Sequence, residues 1–179
     1  MLPQIFKTGP RIAILRHILT GPPATVQDIA GATGTSKALV SRYLTVLARY
    51  GLLTRDGRIY RRTDGSLTRA VKVLLNLDRL MPHISLPEWA DGIGIYGSWA
   101  DGSNTGESDL DLWVLADAYP GEGPLGQLIS LLTGALGVEV HLLFLSPPKL
   151  RDLRKEDPPF YHAFIRSAIV LRGKGVELP

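Results

Sequence analysis

At 179 residues the chain has room for one large domain or two small ones, and its 45% apolar content is ordinary for a globular protein. It contains no cysteine, which excludes a disulfide framework and a thiolate metal site. It has no apolar run of about eighteen residues, and its start, MLPQIFKTGPRIAIL, lacks a signal-peptide pattern, so no membrane association and a cytoplasmic location are expected. The net charge of +3 conceals a split. Residues 1–63 carry ten Lys/Arg and two acids, a local charge of +8, which leaves −5 for the remainder. Such asymmetry predicts a basic module that meets a polyanion, joined to a second module.

Residues 11–20, RIAILRHILT, place Ile12, Leu15, Ile18 and Leu19 at helical spacing, and Gly21-Pro22-Pro23 stops that helix. Thr25 caps a second helix, with Asp28 at the third position as in a capping box. After a Gly31–Gly34 turn, Thr35 or Ser36 caps a third helix, KALVSRYLTVLARYG, whose apolar face is Leu39, Val40, Tyr43, Leu44 and Leu47. Its other face shows Lys37, Ser41, Arg42 and Thr45. In LLTRDGRIYRRT, Asp56-Gly57 predicts a hairpin with a type I′ turn, with Arg55 and Arg58 at the tip and Arg61 and Arg62 on the return strand.

This order of helices followed by a basic hairpin resembles the winged helix-turn-helix family over about residues 8–63. The resemblance implies a third helix in the major groove of double-stranded DNA and a wing against the backbone. Ser36, Lys37, Ser41 and Arg42 are the candidates to reach bases or phosphates, and Arg55, Arg58, Arg61 and Arg62 those for the backbone. A winged helix that binds protein is the competing reading; it accounts for the fold but not for the charge.

Residues 66–82, SLTRAVKVLLNLDRLMP, predict a connecting helix with Leu67, Val71, Leu74, Leu75 and Leu80 on its apolar face. That face could pack on either domain or on a second copy of the chain, so a homodimer stays open. Pro82 and Pro87 bracket the expected domain boundary. The expected organisation is 1–65 for the winged helix-turn-helix, 66–87 for the connector and 88–179 for a second domain.

The second domain opens with GIGIYGS, a short buried strand running into Gly97-Ser98. Residues 108–115, SDLDLWVL, then alternate, so Asp109 and Asp111 share one face of a strand while Leu110, Leu112 and Val114 share the other. Two carboxylates on one face repel unless a cation lies between them. Hard oxygens suit Mg²⁺, which is readily shared with phosphate. A glycine lets backbone approach a phosphate, and a serine at a helix start can hold phosphate oxygens. A nucleoside triphosphate would thus lie between Gly97-Ser98 and the two aspartates. Residues 137–145, GVEVHLLFL, predict a further strand, with Glu139 and His141 on one side. Residues 116–126 read as a mobile loop near the site.

Gly-Ser followed at this interval by Asp-x-Asp resembles the nucleotidyltransferase superfamily that includes DNA polymerase beta, and most closely its minimal prokaryotic members, over about residues 88–173. The resemblance implies a short mixed sheet flanked by helices. The expected whole is therefore α+β, a winged helix-turn-helix followed by a nucleotidyltransferase-like mixed sheet. It also implies Glu139 as the third carboxylate and two Mg²⁺ ions held by Asp109, Asp111 and Glu139. Gly97 and Ser98 would bind the phosphates of ATP or another NTP, and an NMP would pass to a hydroxyl. His141 remains an outer residue, a substitute ligand or a structural histidine. The chain keeps Gly97, Ser98, Ala100 and Gly102 of the family's Gly-Ser-x-Ala-x-Gly pattern but has Trp99 and Asp101 at the variable places. A carboxylate at 101 must point away from a triphosphate or bind metal, and Trp99 is either a base platform or, preferably, core.

Minimal members commonly pair with a small helical toxin, and some add AMP to a tyrosine of that partner, acting as antitoxins. A fused DNA-binding module would fit autoregulation. The alternative is a DNA-binding transcriptional regulator whose second domain senses nucleotide or serves as scaffold without turnover. Modification of a small molecule ranks last, because the second domain looks too short to add a substrate-binding part.

Overall fold

The computed structural model describes residues 1–176; the last three residues of the expected 88–179 domain lie outside the described residues. Two compact units divide between Leu75 and Asn76.

The first unit begins with helices α1 (Leu2–Ile5) and α2 (Gly9–Thr20). Ile14, Leu15, Ile18 and Leu19 of α2 are buried, and Ile12 packs against them. Strand β1 (Ala24–Thr25) leads into α3 (Val26–Thr33). The capping box is complete: the Asp28 amide donates to Thr25 Oγ1 at 3.3 Å, and the Thr25 amide donates to Asp28 Oδ2 at 2.9 Å. These hydrogen bonds hold the Asp28 carboxyl below the usual carboxylate range. Ser36 caps α4 (Lys37–Arg49), accepting from the Leu39 amide at 3.3 Å. Val40, Tyr43, Leu44 and Leu47 of α4 are buried, which leaves Lys37, Ser41, Arg42 and Thr45 exposed.

Strands β2 (Leu53–Asp56) and β3 (Ile59–Arg62) form the wing, in a sheet of order β1-β3-β2. Asp56 pairs with Ile59, so the turn residues are Gly57-Arg58 rather than Asp56-Gly57. Gly57 has φ +57°, and among the described residues no non-glycine has positive φ. The expected type I′ turn needs two such residues; glycine alone at the first position is the type II′ pattern.

Helix α5 (Ser66–Leu80) contains the division between the units. Val71 and Leu75 belong to the first core and Leu80 to the second. Leu74, expected on the apolar face, is instead 49% exposed. Its place on the helix carries it out of the stripe that Val71 and Leu75 share.

The second unit is a four-stranded mixed sheet flanked by helices. Its elements are β4 (Gly92–Ile95), α6 (Gly97–Asp101), β5 (Leu110–Leu115), α7 (Glu122–Leu136), β6 (Val140–Leu145), α8 (Pro147–Glu156), α9 (Pro158–Ser167) and β7 (Ile169–Gly173). The strand order is β6-β5-β4-β7, with β5 and β6 parallel and the other pairs antiparallel. The protein is thus α+β, a helix-turn-helix unit followed by a mixed sheet between helices.

Strand alternation sorts β5 between two cores. Leu110, Leu112 and Val114 pack with Leu132 and Leu136 of α7, while Trp113 packs with Leu145, Leu150 and Phe164. Trp113 fits because Gly94 opposite it is bare; a Cβ there would lie 2.4 Å from the indole. Asp111 precedes Trp113 by two residues and so shares its face. The expected loop over 116–126 is shorter, because α7 starts at Glu122. Glycine and proline there read as loop but open a helix, where the missing proline N–H has no partner to lose. Tyr119 stays in the shorter loop, its hydroxyl on Glu122 and its ring edge-on to Phe144 at 5.3 Å.

Candidate functional site

The first candidate surface is the basic face of the first unit. Lys37 and Ser41 of α4 line one groove of about 550 Å³ together with Arg55 and Arg58 of the wing. Sequence reasoning placed these four on separate elements; the fold brings them to one concavity. Lys37 Nζ donates to Gln27 Oε1 at 3.3 Å, and Arg55 lies 5.5 Å from the Tyr60 ring centre while its Nε donates to the Gly57 carbonyl. Arg42 and Arg61 are exposed outside that groove. Arg62 is half-buried, paired with Asp64 at 3.7 Å and donating to the Gly21 carbonyl at 3.1 Å, so it fastens the wing to the end of α2. Ser36 is spent on capping α4.

Removing the Arg58 charge at the wing tip should weaken duplex DNA binding evenly across sequences. The slope of log affinity against log salt should shrink by about one for each phosphate that the variant leaves unneutralised. Fluorescence anisotropy over a salt series for Arg58→Ala measures this. A flat salt dependence of the native protein would rule out a phosphate-led interface.

The second candidate site stands where β4 ends and β5 and β6 begin. Parallel pairing sets Asp111 opposite His141, and the Leu110 amide donates to the Glu139 carbonyl at 2.9 Å, which brings Asp109 alongside Glu139. One ligand atom each from Asp109, Glu139 and His141 lie within 4.8 Å of one another, and all three residues are exposed. His141 Nε2 lies 3.2 Å from Glu139 Oε1, and His141 Nδ1 lies 3.9 Å from Asp111 Oδ1. Asp111, 3.9 Å from the same imidazole, adjoins this group, so a histidine joins the carboxylates expected from sequence. This mixed oxygen and nitrogen set fits a divalent cation.

The Asp111 carboxyl is pushed up, first by burial and then by the charge of Asp109, while His141 pulls it down. A carboxyl raised in the folded state stabilises the fold below its unfolded value, and that stabilisation is lost as pH rises through the folded value. In EDTA, Asp111→Asn should therefore raise the melting temperature of the second unit at neutral pH. The gain should vanish on acidification. Each kcal/mol corresponds to about 4 °C or more in a unit of about 100 residues. Scanning calorimetry at several pH values reads the difference.

Gly97, at φ +64°, opens α6 next to Asp111. A Cβ on Gly97 would lie 2.4 Å from Asp111 Oδ2, so a larger residue would have to push that carboxylate aside. The Tyr96 amide donates to the Asp111 carbonyl at 3.0 Å and fixes the approach. Ser98 follows, half-buried, at the start of α6.

The segment after Ser98 is held by groups that sequence reading missed. Asn76 and Asn104 are buried and paired through their side-chain amides at 3.0 Å and 3.3 Å. Asn76 Nδ2 also donates to the Trp99 carbonyl at 2.8 Å, and the Asn104 amide donates to the Ser98 carbonyl at 3.1 Å. Trp99 is core, 2% exposed, and its Nε1 donates to the Ser108 carbonyl at 3.2 Å, which leaves it no part as a base platform. Asp101 is exposed and accepts from the Ser103 amide at 2.7 Å, a local turn of the kind Asp favours. The only hint in sequence was that Asn76 interrupts an apolar helix face.

Residues 12–57 match the family of IclR helix-turn-helix domains. The matched stretch runs from α2 to the turn of the wing, within the helix-turn-helix of the first unit. No curated protein matches the chain. Similar solved structures include a toxin–antitoxin with AMP-PNP, at 21% identity over 55% of this chain and 70% of that one, with a TM-score of 0.36. Two substituted forms of the toxin–antitoxin MntA-HpeT are also similar. One has 21% identity, coverage of 55% and 69% and a TM-score of 0.34. The other has 19% identity, coverage of 57% and 73% and a TM-score of 0.37. Among the described residues no helix is long and apolar enough to cross a membrane.

Proposed function

We propose that the second unit is a metal-dependent nucleotidyltransferase and that the first unit binds duplex DNA. The observation that supports the transferase reading best is the gathering of Asp109, Glu139 and His141 beside Asp111 at a strand end that Gly97 keeps open. On this reading Asp109 and Asp111 would hold two divalent ions, Mg²⁺ by the family pattern, and Glu139 would help hold one of them. Ions held there would neutralise phosphate charge and lower the pKa of the attacking hydroxyl. The Gly97 N–H and the Ser98 hydroxyl bind the outer phosphate oxygens of ATP or another NTP. The acceptor hydroxyl loses its proton to water, its oxygen forms a bond to the α-phosphorus, the bond from that phosphorus to the β-phosphate oxygen breaks, and pyrophosphate leaves with the electron pair.

The acceptor proposed from the family resemblance is a hydroxyl on a partner protein, a tyrosine of a small helical toxin. The DNA-binding unit would then regulate the genes of the pair. Homodimerisation belongs to the same proposal, as the arrangement that presents two winged helices to two half-sites.

Calorimetric titration with a non-hydrolysable ATP analogue, with and without Mg²⁺, tests the reading without knowledge of the acceptor. Metal-dependent binding that disappears in the Asp109→Asn/Asp111→Asn variant is expected. Absence of binding at millimolar analogue would overturn it in favour of a DNA-binding regulator whose second unit is a scaffold.

A further inference from the structure

We propose that His141 is a metal ligand, and that with Asp109 and Glu139 it makes a site that prefers a first-row transition ion to Mg²⁺. The inference shares the metal-dependent part of the proposed function but needs neither the nucleotide nor the acceptor.

Three features carry it. The first is position. His141 lies on the strand that brings Glu139, two residues further along, and parallel pairing sets it opposite Asp111. Its ring therefore enters the carboxylate cluster from the neighbouring strand, and one of its nitrogens lies within 4.8 Å of a ligand oxygen from both Asp109 and Glu139.

The second is the division of its two nitrogens. Nε2 faces Glu139 at 3.2 Å and Nδ1 faces Asp111 at 3.9 Å. A carboxylate behind one ring nitrogen keeps the proton there and leaves the lone pair of the other for a cation, the usual support of a metal-binding histidine.

The third is donor chemistry. Mg²⁺ takes oxygen ligands and gains little from imidazole, whereas affinity for mixed nitrogen and oxygen sites rises from Mn²⁺ through Co²⁺ towards Cu²⁺. Three carboxylates would leave the choice to Mg²⁺. Two carboxylates and an imidazole do not.

The full chain, stripped with EDTA, is titrated calorimetrically with CoCl₂ and separately with MgCl₂, and the Co²⁺ form is examined by proton NMR for hyperfine-shifted imidazole N–H signals. The native chain should bind Co²⁺ about 100-fold more tightly than Mg²⁺ and show a shifted N–H signal. His141→Gln should lose that signal and about tenfold or more of its Co²⁺ affinity, with Mg²⁺ affinity and melting temperature unchanged. His17, His83 and His162 remain in the variant and serve as internal controls. Equal affinity for the two ions, or a shifted signal that survives His141→Gln, would overturn the assignment while leaving metal-dependent transfer standing. Failure to bind either ion would overturn both. His141→Asn, which keeps a short polar side chain, guards against a folding defect in the glutamine variant.

Discussion

Asp109→Asn should reduce nucleotidyl transfer by about a thousandfold and leave DNA affinity unchanged. The replacement is nearly isosteric, so packing is preserved and the charge alone is lost. Asp109 is exposed, contributes to no core and sits within reach of Glu139 and His141. Removing one anionic ligand weakens the hold on ions whose contribution to the transition state is several kcal/mol, and each 1.4 kcal/mol is about tenfold in rate. The measurement is release of pyrophosphate in the presence of the proposed partner protein, paired with anisotropy on duplex DNA. A variant with intact turnover would remove Asp109 from the machinery. Loss of both activities would instead indicate that the substitution unfolds the chain.

Gly97→Ala should cost both stability and ligand binding, and a comparison with Gly137→Ala separates the two. Gly97 and Gly137 have nearly the same φ, +64° and +65°. The left-handed conformation costs an alanine about 1–2 kcal/mol at either place. A Cβ on Gly137 meets nothing within 4 Å, whereas one on Gly97 meets Asp111 Oδ2 at 2.4 Å. Asp111 must swing away, and displacement of a positioned group by about 1 Å can cost 100-fold. Both variants should melt a few degrees lower, as judged by circular dichroism. Only Gly97→Ala should lose metal-dependent binding of the ATP analogue by about 100-fold. Equal binding by the two variants would mean that the carboxylate has room to move, and that Gly97 serves backbone geometry only.

What could be read from sequence followed periodicity and turn chemistry. Helices α2, α3 and α4 were legible because Thr25, Ser36, Gly21 and Gly51 mark their ends and apolar residues recur at helical spacing between them. Strand β5 was legible because alternation separates Asp109 and Asp111 from Leu110, Leu112 and Val114. The start of α7 was hidden because glycine and proline carry turn signals that a helix N-terminus also tolerates. Leu74 misled because composition does not say which of several leucines a helix presents to its core. The place of His141 was left open, and no reading of one strand could close it. Its neighbours belong to a second strand, and the register between the two is a property of the folded sheet. The Asn76–Asn104 pair was invisible for the same reason: buried amides find each other across distant segments, and neither declares its partner.

The parallel register that sets Asp111 opposite His141 has a thermodynamic corollary. Residues 109–111 and 139–141 are separated in the chain by the whole of α7, so in the unfolded chain their donor atoms are dispersed. An ion bound there would recognise the native chain alone, and its free concentration would become a variable of the folding equilibrium. At a hundredfold excess over the dissociation constant, such a ligand adds about 2.7 kcal/mol to the native state. Chelation would then loosen the sheet as well as empty the site, and the abundance of the folded chain would track the ion supply of its surroundings.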